Sequence, residues 1–165
     1  MVEIEEMLAK DAREVLARIG YGHLACCEGD EPYVVPIHYA FNGEDVYIYT
    51  TEGKKSEILR KNSKICLQAE EVESNENWTS VMVFGEATQL VDEDKRQKAL
   101  DLILKGNPRL TPAISIRWMD IWIRENVEVI YRIRVRSLSG RRTVNRKIRS
   151  DAMLPKAAQT EVTMD

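Results

Sequence analysis

PYVVPIHYAFNGEDVYIYTTEGKKSEILRKNSKICLQAEE, residues 32–71, changes its hydrophobic period twice, and those changes decide the fold. Pro32–Phe41 is rich in β-branched and aromatic residues and reads as a strand. Pro36 interrupts it; because proline cannot donate to a ladder, it belongs at an edge or a bulge. Asn42-Gly43 is the dipeptide of a tight hairpin, so Asp45–Thr51 is the returning antiparallel strand. Lys54–Lys61 then offers two turns of helix with Ile58 and Leu59 inward, and Lys64–Val72 is a strand again.

Working outward, Ile4, Met7, Leu8, Val15, Leu16 and Ile19 recur at helical spacing. This predicts a helix from about Val2 to Arg18, closed by Gly20. Tyr21–Cys27 is a short strand, and Glu28–Glu31 is a turn. After a polar loop at Glu73–Asn77, Thr79–Val91 alternates as a long strand, with Gly85 at a bend. Asp92 caps a helix through Leu104 that Gly106 closes. Asn107–Pro112 is a loop, and Ala113–Arg124 fits a short helix, although Ile114, Ile116 and Trp118 also alternate. Val127–Leu138 puts Val127, Val129, Tyr131, Ile133 and Val135 on one face, with Gly140 as its end. About six strands joined by short turns, with three or four helices, imply a mainly β fold: an antiparallel barrel with helices packed outside.

With 165 residues there is enough chain for one domain, over residues 1–142. Residues 143–165 form a tail, basic and then polar, with its last ten or so residues expected to be disordered. Lys+Arg 24 against Asp+Glu 27 leaves a net charge of −3, which argues against a general affinity for nucleic acid. Between Arg132 and Arg149 no acid occurs, yet that basic stretch lacks the interleaved aromatics of a nucleic-acid surface. No apolar run is long enough to span a membrane, and the acidic, amphipathic start MVEIEEMLAK is unlike a secretory signal. Cys26, Cys27 and Cys66 are an odd number, and adjacent strand residues point to opposite faces. Reduced thiols in a cytoplasmic protein are therefore expected.

Chemistry concentrates at Tyr49-Thr50-Thr51-Glu52-Gly53-Lys54-Lys55-Ser56, where a strand hands over to a helix. Hydroxyls that donate, a glycine that lets the backbone approach, two cations and the first amides of a helix all suit a phosphate. On spacing alone a polar surface turn with two solvated lysines is the favoured reading, because short basic turns are common, and the phosphate turn is its alternative. His38 follows the Val35-Pro36-Ile37 strand and is a candidate proton donor; it also fits a half-exposed strand position. His23, Cys26, Cys27, His38 and Cys66 show none of the usual ligand spacings, so no metal site is expected. Trp118 and Trp122 suit core or dimer contacts.

Taken in order, these motifs resemble those of the FMN-binding split β-barrel family, which includes pyridoxamine 5′-phosphate oxidase and the Nim-type nitroimidazole-resistance proteins. Tyr33–Ile37 is similar to the strand beside the flavin ring, and Asp45–Thr50 to the strand after it. Gly53-Lys54-Lys55 is similar to the phosphate turn, and Lys64–Leu67 to the next strand. Trp78-Thr79-Ser80-Val81 with Gly85-Glu86-Ala87 matches a further strand, and Tyr131–Val135 with Ser139-Gly140-Arg141 looks like the closing strand of the Nim-type branch. The resemblance covers about residues 12–142. It implies a split barrel and a homodimer with FMN at the subunit interface.

Carried over position by position, the resemblance lays Val35, Pro36 and Ile37 along the flavin. Thr50 and Thr51 donate to phosphate or ring edge, Lys54 and Lys55 neutralise the phosphate, and Trp78 and Ser80 lie near the cofactor or the dimer seam. The chain departs from the pattern at its Lys-Lys pair, commonly Arg-Lys in the family, and at Tyr49, where many Nim-type relatives carry histidine. The implied function is an FMN-dependent oxidoreductase acting on a small molecule. The alternative is a carrier or sensor of the same fold that holds flavin, deazaflavin or haem without turnover.

Overall fold

The structure, a computed structural model, describes residues 2–106 and 128–145. The elements in chain order are β1 (Val2–Glu6), α1 (Ala9–Ile19), β2 (Tyr21–Glu28), β3 (Glu31–Phe41), β4 (Asp45–Thr51), α2 (Lys54–Lys61), β5 (Lys64–Ser74), β6 (Asn77–Gln89), α3 (Glu93–Gly106) and β7 (Glu128–Asn145). Every strand pairing is antiparallel. The sheet runs β1-β7-β4-β3-β2-β5-β6, and β6 pairs back onto β7. Six strands thus close into a ring, with β1 attached outside it to β7. Closure is possible because β7 is long: Glu128–Arg134 pairs with β4, Tyr131–Arg142 with β6, and Arg141–Asn145 with β1. This is the expected mainly β barrel with external helices.

Local turn chemistry builds the hairpins. The Asn42 side-chain oxygen accepts from the amides of Glu44 and Asp45 at 2.9 and 2.8 Å, and Gly43 takes φ 102°. That combination reverses the chain between β3 and β4 in two residues. Gly20 closes α1 in the left-handed conformation. Asp92 caps α3 as expected, its carboxylate accepting from the Lys95 amide at 3.0 Å. β6 slips register against β7 between Phe84 and Gly85, where the bend was expected.

Apolar residues that alternate along the strands fill the barrel: Leu24, Ile37, Tyr39, Val46, Ile48, Leu67, Val81, Val83 and Ile133 are all buried. α1 adds Ala12, Val15 and Leu16 from outside the sheet. Each fully buried Leu or Ile of this set contributes about 1.5–3 kcal/mol. A second, smaller cluster of Leu90, Ala99 and Ile130, with Tyr47 and Tyr49 against it, packs α3 on the outer flank of β4 and β7.

Two expectations are corrected. The first helix does not begin at Val2: residues 2–6 are strand, and α1 starts at Ala9. β1 pairs with the far end of β7 through Val2↔Asn145 to Glu6↔Arg141, and Arg142 binds both Glu5 (2.8 Å) and Asp11 (3.4 Å). That tertiary partner overrides a helical period that seven residues cannot enforce alone. Gly140 does not end the last strand, because β7 runs through it to Asn145. A Cβ there would lie 2.8 Å from Met7 Sδ and 3.2 Å from Ala12 Cβ, so the glycine serves close packing under the β1–α1 junction. The folded part accordingly passes residue 142 by three positions. The helix expected at residues 113–124, with its two tryptophans, and the end of the tail lie outside the described residues.

Candidate functional site

β3 and β4 share only three rungs, Tyr39↔Ile48, Ala40↔Tyr47 and Phe41↔Val46. Beyond Tyr39 and Ile48 both strands continue, but apart. β3 stays paired with β2 back to Glu31, and β4 stays paired with β7 up to Thr51. Continuing the same register would set Ile37 opposite Thr50. Instead the sheet splits there, and one side of the Val35-Pro36-Ile37 backbone has no ladder partner from β4. Backbone groups left this way need solvent or a ligand. Pro36 sits within this one-sided stretch, as a strand proline should.

At the β4 side of the split stand Thr50 and Thr51, both half-buried, followed by Gly53 as the residue before α2. Among the described residues no side chain caps α2, which leaves its leading amides open to an anion. Buried Ser56 braces the turn from within, its hydroxyl donating to the Thr51 carbonyl at 3.3 Å. Tyr131 lies under the same turn, its phenol pushed up by burial and pulled back by nearby Ser56. Gly53 is not confined by the protein around it. Its backbone is extended, and a Cβ would meet nothing within 4 Å.

The two lysines of the turn differ sharply. Lys54 is exposed and its ammonium is hydrogen-bonded to Glu28 at the end of β2. Lys61, two turns further along the same face of α2, donates to the other oxygen of that carboxylate at 2.6 Å. Those two hydrogen bonds, Lys54 first, hold the Glu28 carboxyl down at about 2. Lys55 turns inward, half-buried, toward the buried Cys26 thiol, and has no ion pair among the described residues. Burial lowers its amine to about 8. Burial likewise pushes the Cys26 thiol up, with Cys27 adding to it and Lys55 opposing. Arg60, also on α2, is occupied by Glu52 at 2.9 Å.

Trp78 and Ser80 lie elsewhere. They line a cleft of ≈ 680 Å³ together with Glu6, Met7, Met82, Leu138 and Arg141. Ser80 accepts from Gln68 at 3.2 Å, and the Trp78 amide donates to Thr143 at 3.0 Å. On β7, the partner of Thr50 is Val129 and that of Ser80 is Arg141. Twelve residues of strand, about 40 Å of contour, separate them. Within one chain the expected site residues therefore form two groups, the split with its turn and the cleft around Trp78.

His38 is 3% exposed, edge-on to Tyr21 with ring centroids 5.7 Å apart, which replaces the half-exposed position expected for it. It is buried because the second half of β3 is covered on both faces. All three cysteines are free, Cys27 exposed and Cys66 half-buried. Among the described residues no group of three His, Cys, Asp or Glu is placed to hold a metal, and no helix is long and apolar enough to cross a membrane. Sequence reading did not single out Glu28, and it named Ser56 and Arg141 within their motifs without giving either a role. The seven-residue spacing of Lys54 and Lys61 was the available signal for Glu28, since one carboxylate can reach both.

A family model described as pyridoxamine 5′-phosphate oxidase matches residues 9–142. An uncharacterized protein of Rhizobium meliloti (strain 1021) is 38% identical over 87 residues, which cover 53% of this chain and 58% of that protein's length. The fold is similar to that of a FAD-binding protein from Mesorhizobium loti, with TM-score 0.71 and 27% identity over 88% of this chain and 100% of that one. It is also similar to that of a candidate 5-nitroimidazole antibiotic resistance protein from Bacteroides thetaiotaomicron, with TM-score 0.65 and 17% identity over 87% and 89% of the two chains.

Proposed function

The chain belongs to the pyridoxamine 5′-phosphate oxidase family, and on that premise we propose that it binds FMN as a homodimer and serves as a flavin-dependent oxidoreductase for a small molecule in the cytoplasm. The observation that carries this reading is the parting of β3 and β4 after the Tyr39–Ile48 rung. It leaves β3 backbone that β4 does not pair, together with two threonines and, among the described residues, an uncapped helix start and a half-buried lysine without an acid partner. A flavin phosphate meets the lysine and the amides, and the ring system meets the backbone of Val35, Pro36 and Ile37. These are the groups that a planar heterocycle on a phosphate tether requires.

The flavin, when bound, supplies the electron and hydride chemistry. The residues of the chain have other work. Lys55 offers a cation in a partly desolvated place, where its attraction to a phosphate is stronger than at an open surface. Thr50 and Thr51 donate hydroxyl hydrogens to the phosphate, and Ser56 holds the Thr51 carbonyl in place. The cleft with Trp78, Ser80 and Arg141 completes the site of a second copy and closes it from water. An outward row of Val34, Ala25, Cys66 and Phe84, neighbours across four strands, gives the second copy an apolar face to cover.

The testing experiment is the visible spectrum of the purified chain with and without added FMN. Flavin bands that survive gel filtration at the mass of a dimer support the reading. A protein that takes up no FMN overturns it.

A further inference from the structure

We infer that Glu28 is an internal anion that competes with the ligand phosphate for Lys54, so that binding of the phosphate proceeds by exchange of one carboxylate for another anion at the same ammonium. This rests on the FMN reading above and adds to it the control of that site.

Lys54 and Lys55 are neighbours in the turn but not in circumstance. Lys55 has no acid partner among the described residues and is held inward, whereas Lys54 is engaged with Glu28 before any ligand arrives. Glu28 ends β2, just ahead of the Gly29–Asp30 turn, and bridges Lys54 and Lys61 across the length of α2. Asn62 fastens the far end of the same helix, its side-chain amide donating to the Cys27 carbonyl at 3.1 Å. Lys61 therefore has a fixed place beside Glu28 whether or not Lys54 stays. When a phosphate reaches the turn, Lys54 can leave Glu28 without stranding the carboxylate, because Lys61 still pairs with it.

The energetics suit an exchange. The Lys54 side chain is about half exposed, and exposed ion pairs are weak, so the contact opens readily. Glu28 nevertheless stays ionised at all ordinary pH because two ammonium groups hydrogen-bond to it, and its charge opposes an incoming phosphate throughout. Replacing the carboxylate by an amide removes both the competition and the repulsion while keeping the shape of the side chain.

The test is FMN titration at low ionic strength, followed by flavin fluorescence, of the full-length wild type, Glu28→Gln, Lys61→Met and the double variant. Glu28→Gln is expected to tighten FMN about threefold, the size of one removed charge near a surface site. Lys61→Met leaves Glu28 to Lys54 alone and is expected to weaken FMN about twofold, an effect that shrinks in the Glu28→Gln background because the two act through one contact. An unchanged or weaker affinity in Glu28→Gln, or an equal effect of Lys61→Met in both backgrounds, overturns the inference while the wild type still binds. If all four chains fail to bind FMN, the cofactor reading itself falls and this inference with it.

Discussion

Tyr39 and Ile48 form the last rung that joins β3 to β4 before the two strands part. Tyr39 is fully buried, and its hydroxyl donates to the Leu16 carbonyl in α1 at 2.8 Å. The same residue thus closes the barrel and ties it to the first helix at the edge of the split. Burial raises its phenol far above the ordinary range, so the hydroxyl remains a donor at any working pH.

Tyr39→Phe removes the hydroxyl, with its bond to Leu16 and its contact with the Gly20 backbone, and little volume. A loss of about 1 kcal/mol is expected, the usual net worth of a buried hydrogen bond. Urea unfolding of the two chains measures it; an equal midpoint would show that the bond does not contribute.

In the proposed FMN site, Lys55 implies a pH dependence of binding. Its amine titrates at about 8 in the free protein, because burial disfavours the charged form. A bound phosphate favours that form and raises the value again, so binding takes up a proton wherever the free amine has lost one. Affinity should therefore fall about tenfold between pH 7 and 9. Lys55→Arg should bind FMN with no such slope, and Lys55→Met should bind weakly at every pH. Dissociation constants at pH 7, 8 and 9 decide this; a slope that persists in Lys55→Arg would assign it to another group.

The separation of the turn from the Trp78 cleft makes complementation possible. In the proposed homodimer, Lys55→Met would spoil one half of each site and Trp78→Ala the other, and each variant alone should hold little FMN. Mixed dimers contain one site with both defects and one with neither. Refolding equal amounts of the two variants together makes about half of the dimers mixed and should restore about a quarter of the wild-type flavin. No recovery in the mixture would mean that both halves serve the same site within one chain.

Glycines at two positions should differ in opposite ways. A Cβ at Gly22 would lie 2.3 Å from the Gln68 carbonyl oxygen, which belongs to the backbone of β5 and cannot yield alone. Gly22→Ala should cost about 2–3 kcal/mol. Gly53→Ala meets nothing and needs no unusual backbone, so its stability should change by about 0.5 kcal/mol or less and its FMN affinity hardly at all. Thermal melts with and without FMN measure both; a Gly53→Ala chain that loses FMN would restore the role first read into that glycine.

Much of this molecule is written in short windows of sequence. Asn42-Gly43 determined a hairpin, Asp92 a helix start, Gly20 a helix end, and alternation along Asp45–Thr51 and Thr79–Gln89 the strands, because each depends on backbone preferences within a few residues. The order of those motifs was also enough to point to the family. Tertiary structure alone decided the rest. Val2–Glu6 became strand through a partner about 140 residues away, and Gly140 was needed for the packing of Met7 and Ala12 rather than for a turn. The divergence of β3 from β4 and the unequal fates of Lys54 and Lys55 depend on Glu28, Cys26 and β7, which no local window contains. Propensity and period act between near neighbours, whereas charge, burial and strand partnership are set only once distant segments share the same space.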